Sequence, residues 1–227
     1  MMKVGYEMLI HPKEYLEEYA RLSLAEILGF NINALVHSDA PDIQDIENQI
    51  GIEVVEDTYQ NEKELLRFWM KYETTPVDMI PNKKIDGYYK RHGTLKIDNN
   101  QLKGGSLGES KPNSPKHLIT TINKKLRKLN SGNYAVFQSY MLYVFVDTVS
   151  LFNSYVVSVI QEARKTNEKL KYNKLILDGY YELCYCDLET QRYRRYNISK
   201  ATRETIDTKA KSMVYDTQEL KKLFYDN

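Results

Sequence analysis

The sequence predicts an α/β fold in which a mixed central sheet is flanked by helices. Two segments, 12–29 and 114–129, carry apolar residues at helical spacing. Runs rich in β-forming residues lie at 50–55 and 140–147. The chain has 227 residues, of which 42% are hydrophobic and 28% charged. It is therefore long enough for a single domain with a substantial core.

The first part of the chain predicts a helix, three short strands and a second helix. Pro12 suits a first helical turn and Gly29 suits a helix end, so the first helix is expected over 12–29. The strands are predicted at 33–37, 42–46 and 50–55. The second helix is predicted over about 61–72, where apolar side chains recur on one side.

A segment without periodicity follows. Residues 74–113 are rich in Pro and Gly, which predicts a loop-rich insertion at about 57–113 with a hairpin around 88–97. Regular elements resume with the helix at 114–129. They are a strand at 140–147, a helix at 151–163, strands at 175–177, 181–187 and 192–198, and a polar helical tail at about 200–227. With the insertion set aside, the order begins helix, three strands, helix, strand.

Charge is unevenly distributed although the formal net charge is only +1. Residues 1–80 hold 6 Lys and Arg against 16 Asp and Glu, whereas residues 81–130 hold 12 against 3. An acidic half beside a basic half suits a metal site next to a polyanion. Solvated helix faces and loops explain the same charges without any ligand.

Export and membrane insertion are not expected. The N-terminus lacks the basic-then-apolar pattern of a signal peptide, and the most apolar region, 140–160, contains Asp147 and Asn153. The two cysteines, Cys184 and Cys186, have no cysteine partners elsewhere, which suits a reducing compartment. We expect a cytoplasmic protein without a membrane partner.

Two carboxylates indicate a metal site. Asp42 follows Pro41 ahead of a predicted turn, and Glu53 lies within an apolar run at 50–55. Strands joined by that turn would bring the two carboxylates together, and oxygen ligands of this kind suit Mg²⁺ or Mn²⁺. A carboxylate in an apolar strand is costly unless it is paired or metal-bound. A strand with one solvent face, from which Glu53 points outward, explains the alternation equally well.

The spacing from Pro41-Asp42 to Glu53, with the order of elements over most of residues 11–187, resembles the PD-(D/E)XK nuclease superfamily. The resemblance implies a restriction-endonuclease-like αβββαβ core. It also implies metal-dependent hydrolysis of phosphodiester bonds in nucleic acid, with DNA favoured over RNA, and Asp42 and Glu53 as ligands of Mg²⁺ or Mn²⁺. The chain departs from the family at Val55, where the family has a catalytic lysine.

Some members of that superfamily supply the lysine from the neighbouring helix, and many add a metal ligand from the first helix. The resemblance therefore implies Lys125 or Lys128 as a catalytic residue and Glu18 as a third metal ligand. Lys125 borders the apolar face of its helix, since it lies three residues after Ile122. For any one of these lysines, a solvated helix side chain is the competing interpretation.

Basic residues are mixed with aromatic ones at 88–92 and 192–196, a combination that suits phosphate neutralisation and base stacking. A charged hairpin edge explains the second segment equally well. The residues predicted to bind nucleic acid are Lys83, Lys84, Lys90, Arg91, Lys124, Arg192, Arg194 and Arg195.

Two other functions stay open. Val55 in place of the lysine favours a catalytically inactive nuclease-fold protein that binds nucleic acid or a protein partner. An unrelated α/β interaction protein, in which the motif is coincidental, is the third interpretation. A homodimer is compatible with each of them.

Overall fold

The computed structural model describes residues 12–57, 68, 71–72, 75–107, 115–146, 151–179 and 181–215. The chain divides into two compact units. One unit contains residues 11–57 and 114–227, and the other includes residues 58–113, which coincide with the segment expected as an insertion. The predicted helix at 61–72 falls largely outside the described residues.

The described residues confirm the α/β class. The helices are α1 (Lys13–Leu28), α2 (Asn82–His92), α3 (Lys116–Leu129), α4 (Asn153–Ala163) and α5 (Lys200–Val214). The strands are β1 (Leu35–His37), β2 (Ile43–Asp45), β3 (Ile50–Glu56), β4 (Gly93–Asp98), β5 (Gln101–Leu107), β6 (Ser139–Phe145), β7 (Lys174–Asp178), β8 (Glu182–Asp187) and β9 (Arg192–Asn197). Each strand predicted outside the 57–113 segment is present, with ends that differ by one or two residues.

The larger unit is built on a seven-stranded mixed sheet with the order β1-β2-β3-β6-β7-β8-β9. Strands β1, β2 and β3 form an antiparallel meander, and β3, β6 and β7 run parallel. Strands β8 and β9 return antiparallel. Crossovers through α3 and α4 produce the parallel pairs, because parallel neighbours need a long connection.

Helices cover both faces of this sheet. On one face α3 and α4 bury an apolar cluster that includes Leu118, Ile122, Leu142 and Val156. The other face carries α1 and α5, which pack against each other. Successive residues of β6 alternate between these layers, so that Leu142 enters the α3 and α4 side and Tyr143 the α1 and α5 side. None of the described helices is long and apolar enough to cross a membrane.

The second unit corrects one local prediction. The hairpin expected around 88–97 begins later, since α2 continues to His92 and the antiparallel hairpin of β4 and β5 runs from Gly93 to Leu107. Tyr88 is buried, its ring 5.1 Å from that of Phe68, and Ile85 lies one helical turn away. This short apolar face stabilises a helix despite the glycine at position 87.

Candidate functional site

Asp42 and Glu53 come level with one another at the junction of two neighbouring strands. Ile43 of β2 pairs with Ile52 of β3, so one further step in the antiparallel register places Asp42 beside Glu53. Both are buried, with 0% and 1% of their surfaces exposed. Asp42 Oδ2 accepts a hydrogen bond of 2.8 Å from the backbone N–H of Val54. The backbone of β3 therefore holds the Asp42 carboxylate in place.

Gly51 makes room for this arrangement. A Cβ atom at position 51 would lie 2.6 Å from Pro41 Cγ and 2.9 Å from Phe137 Cδ2, distances that real Cβ contacts do not show. Only glycine lets the Pro41 ring lie this close to β3. The residues next to the two carboxylates thus pack together: Pro41, which precedes Asp42, lies against Gly51, two residues before Glu53.

The carboxylate of Glu53 is surrounded by donors from α3 and the loop that follows it. Its Oε1 accepts a hydrogen bond of 2.6 Å from Lys125 Nζ, and Lys128 Nζ lies 3.4 Å from the same atom. Its Oε2 accepts a hydrogen bond of 2.7 Å from the hydroxyl of Tyr134. Lys125 also reaches the carbonyl of Val54 at 3.3 Å. Helix α3 therefore places an ammonium against β3, between Glu53 and the carbonyl of Val54.

The glutamate of α1 that lies near Asp42 is Glu17. Glu18, which was predicted as the third metal ligand, points away from Asp42. Lys13 Nζ lies 2.6 Å from Glu17 Oε1 and 2.9 Å from Asp42 Oδ1, so it joins the two carboxylates. Glu18 instead binds Arg21 at 2.8 Å and His37 at 2.6 Å. Adjacent helical positions point about 100° apart, which explains why one residue decides the partner.

Burial and nearby charges shift the pKa values of several groups in this cluster. Burial raises the pKa of Glu17, and the charge of Asp42 adds to this against the opposing effect of Lys13. Burial alone would lower the pKa of Lys13, but hydrogen bonds to Glu17 and Asp42 outweigh it and raise that pKa. Burial, with the hydrogen bond to Glu53, raises the pKa of the Tyr134 hydroxyl. The cluster therefore stabilises the charged form of Lys13 and the protonated form of Tyr134.

Tyr172 lies in the same electrostatic environment. Burial raises the pKa of its hydroxyl, and the charges of Glu53 and Asp42 raise it further. Among the described residues this hydroxyl is buried without a hydrogen-bond partner. A buried hydroxyl that lacks a partner is unfavourable, so the position suits a further hydrogen-bond acceptor.

A separate buried carboxylate follows β3. The backbone N–H of Asp57 bonds to the carbonyl of Phe145 and continues the parallel ladder. Its Oδ1 lies 2.6 Å from His117 Nδ1 and accepts a hydrogen bond of 3.0 Å from the hydroxyl of Thr121. The side of α3 that carries His117 and Thr121 continues to Lys125 at helical spacing. One polar stripe of α3 thus serves two carboxylates at or just after β3.

The residues predicted to bind nucleic acid are exposed, engaged in other contacts or part of the second unit. Lys124 is exposed on α3, and Arg195 forms an ion pair with Glu182 and donates a hydrogen bond to the carbonyl of Leu151. Arg192 and Arg194 alternate with Arg195 along β9 and therefore lie on the opposite face of the sheet. Lys83, Lys84, Lys90 and Arg91 all belong to α2 in the second unit, where Lys83 and Lys84 are exposed.

Sequence reasoning missed Lys13, Glu17 and Tyr134. Lys13 and Glu17 are spaced as a helical i, i+4 pair, a signal that is present in the sequence but common on any helix surface. Tyr134 lies in the loop after α3, where no periodicity exists to mark it. Among the described residues, no three His, Cys, Asp or Glu side chains come close enough together to form a metal-binding group.

Comparison with protein-family models, with curated proteins and with solved structures finds no match for this chain. The fold and the site define an α/β protein with a seven-stranded mixed sheet and a cluster in which buried carboxylates meet lysine side chains.

Proposed function

We propose that the protein is a metal-dependent nuclease of the PD-(D/E)XK type that hydrolyses phosphodiester bonds in nucleic acid, in the cytoplasm. One observation carries the proposal. Asp42 and Glu53 are buried and level with each other on adjacent strands, and Lys125 lies 2.6 Å from Glu53. The order of α1, β1–β3, α3 and β6 supports a restriction-endonuclease-like core.

The chemistry of the two strand carboxylates suits a hard divalent cation. Carboxylate oxygens are the ligands that Mg²⁺ or Mn²⁺ prefers, and Asp42 and Glu53 would supply them; Glu17 of α1 shares Lys13 with Asp42. The hydroxyl of Tyr172, whose pKa the charges of Glu53 and Asp42 help to raise, is an unpartnered donor for an additional oxygen. When bound, the cation would supply an activated water molecule and neutralise charge on the phosphate.

The protein's own residues would orient and balance charge. Lys125 is 19% exposed and bonded to both Glu53 and the carbonyl of Val54, so its ammonium is fixed at the cluster. There it can orient a water molecule or offset negative charge, the role that the family gives to the strand lysine. Tyr134 holds the second oxygen of Glu53. Lys128 lies farther out and 5.5 Å from the Tyr134 ring centre, where it adds positive charge.

Nucleic acid is the proposed substrate because residues 81–130 combine 12 basic with 3 acidic side chains, and the resemblance to the nuclease superfamily favours DNA. Joint neutralisation of Lys83, Lys84, Lys90 and Arg91 tests this. We expect weaker binding and a flatter dependence of affinity on salt, by about one unit of slope for each lost phosphate contact. An unchanged slope would move attention to Arg192 and Arg194.

Cleavage is tested with Glu53→Gln and Lys125→Ala, and Lys165→Ala serves as the control because Lys165 is an exposed lysine that pairs with Glu162 on α4, outside the candidate site. We expect Mg²⁺- or Mn²⁺-dependent cleavage of DNA that Glu53→Gln abolishes and Lys125→Ala strongly reduces, while Lys165→Ala cleaves like the wild type. Cleavage that persists in excess chelator or in Glu53→Gln would refute the proposed function.

One observation favours a second function, a nuclease-fold protein that binds without cleaving. The carboxylates of Glu17, Asp42 and Glu53 are matched by the ammonium groups of Lys13, Lys125 and Lys128. The formal charges of these three carboxylates and three ammonium groups balance without a metal ion. Wild-type protein that binds nucleic acid but cleaves no substrate with any divalent metal would establish this alternative.

A further inference from the structure

We propose that Lys13 is a displaceable counter-ion of the site: its ammonium occupies the oxygens of Asp42 and Glu17 and must leave before a divalent cation binds there. This inference rests on the proposed function, because it concerns how the same carboxylates exchange a lysine for a metal ion. It assigns a role to a residue outside the motif that pairs Asp42 with Glu53.

The two oxygens of Asp42 have different partners. Oδ2 accepts the backbone N–H of Val54, a bond inside the sheet that a ligand cannot displace without disturbing the pairing of β2 and β3. Oδ1 accepts the ammonium of Lys13 at 2.9 Å. Glu17 Oε1 lies 2.6 Å from that same ammonium. A cation that binds Asp42 through Oδ1 therefore meets Lys13 at both carboxylates.

The three lysines of the cluster differ in their freedom to withdraw. The side chain of Lys13 is 59% exposed, that of Lys128 is 53% exposed and that of Lys125 only 19%. Lys125 also bonds to the carbonyl of Val54, and Lys128 lies 3.4 Å from Glu53 Oε1 and 5.5 Å from the centre of the Tyr134 ring. Lys13 is the first residue of α1, so its stem can turn outward without any change in the helix.

Charge explains why this withdrawal matters. A bound Lys13 lowers the negative potential at Asp42 and Glu17 and occupies their oxygens, which weakens attraction for a second cation. An ion pair with an exposed partner contributes about 1 kcal/mol or less. Its removal is therefore expected to tighten divalent binding by about 2- to 5-fold, since about 1 kcal/mol corresponds to roughly fivefold.

The test measures Mn²⁺ and Mg²⁺ binding to the full chain by titration calorimetry, with no nucleic acid present. The variant is Lys13→Gln, and Lys13→Arg keeps the charge. Lys200→Gln is the matched control, because Lys200 is likewise the first residue of a helix and pairs with Glu204 four residues later, at 3.5 Å. Glu53→Gln reports whether binding depends on the site.

We expect Lys13→Gln to bind Mn²⁺ about 2- to 5-fold more tightly than the wild type, while Lys13→Arg and Lys200→Gln stay close to it. In thermal unfolding, metal should raise the midpoint of Lys13→Gln by more than it raises that of the wild type. Wild-type binding that requires Glu53, with unchanged or weaker binding in Lys13→Gln, would overturn this inference alone. Absence of binding in both proteins would overturn it together with the proposed function.

Discussion

Two clusters of carboxylates and cations lie on the sheet of the larger unit, and they are built differently. On the side of α1 and α5, Asp178 at the end of β7 pairs with Arg203 of α5. In the candidate site, Asp42 and Glu53 meet lysines from α1 and α3. One cluster relies on a single planar cation, and the other relies on several flexible ones.

The Asp178 cluster is enclosed on every side. Arg203 reaches both carboxylate oxygens, the carbonyl of Gly179 and, at 3.0 Å, the hydroxyl of Tyr19. The hydroxyl of Tyr143 also donates to Asp178. Asp178 is 1% exposed and the Arg203 side chain 11% exposed. A guanidinium matches a carboxylate with two parallel hydrogen bonds, so this pair fixes α5 to the sheet.

The candidate site instead leaves its cations partly in water. Lys13 and Lys128 are more than half exposed, although the carboxylates that they contact are buried. A lysine ammonium is a point charge on a flexible stem, and it can leave without breaking a planar fork of hydrogen bonds. The carboxylate is buried in both clusters, so its burial does not distinguish a structural ion pair from an exchangeable one. The exposure and geometry of the cation distinguish them.

The sharpest test of this difference is the loss of one cation from each cluster. Arg203→Met should lower the free energy of unfolding by about 3–5 kcal/mol, because it leaves Asp178 buried without its charge partner. Lys125→Met should lower it by clearly less, since Glu53 retains Tyr134 and Lys128. Urea denaturation at neutral pH measures both values, and equal losses would contradict the distinction.

The packing beneath the candidate site gives the next largest effect. Gly51→Ala introduces a Cβ atom 2.6 Å from Pro41 Cγ, 2.9 Å from Phe137 Cδ2 and 3.3 Å from Tyr140 Cδ1. The crowding should lower the free energy of unfolding by about 1–3 kcal/mol. Because Pro41 must move, Asp42 should shift relative to Val54, which nuclear magnetic resonance of the Val54 amide would detect. An unperturbed Val54 amide would show that Asp42 does not depend on this contact.

Loss of the Glu53 charge should cost less stability than either change above. Glu53→Gln keeps an oxygen for the Tyr134 hydroxyl, and Lys125 retains the carbonyl of Val54 as an acceptor. We expect the free energy of unfolding to fall by no more than about 1 kcal/mol, near the contribution of one hydrogen bond. A loss as large as that of Arg203→Met would indicate that Glu53 is a structural residue.

Local pattern was sufficient for much of the fold and for part of the site. Alternation and turns located β2 and β3, and their register follows from a short polar turn, so the proximity of Asp42 and Glu53 was predictable. Lys125 was predictable because it borders the apolar stripe of α3. These features depend on residues that are close in sequence or on one periodic element.

Features that depend on tertiary packing were not predictable. The first helix carries several glutamates, and periodicity alone could not decide between Glu17 and Glu18, because the choice depends on how α1 rotates against the sheet. Tyr134 lies in a loop without a pattern. The pairing of Asp178 with Arg203 joins elements 25 residues apart, and nothing local connects them. Helix α2 was missed because its mean hydropathy is low and it contains a glycine.

The smallest predicted effect concerns Glu18, the residue beside Glu17 that faces away from the site. Burial raises its pKa, but hydrogen bonds from His37 and Arg21 outweigh burial and lower the pKa to about 2. Since this value is below that of an unfolded glutamate, near 4.5, the folded state gains stability above about pH 4.5. That gain is lost as the pH falls toward 2.

We therefore expect the stability difference between the wild type and Glu18→Gln, measured by urea denaturation, to be greatest above about pH 5 and to shrink steadily between pH 4.5 and pH 2. Glu14→Gln is a suitable control, because Glu14 is exposed on the first turn of the same helix. A constant difference across this range would mean that Glu18 stabilises α1 by packing rather than by charge. The hydrogen bonds of Glu18 with Arg21 and His37 would then contribute no charge-dependent stability.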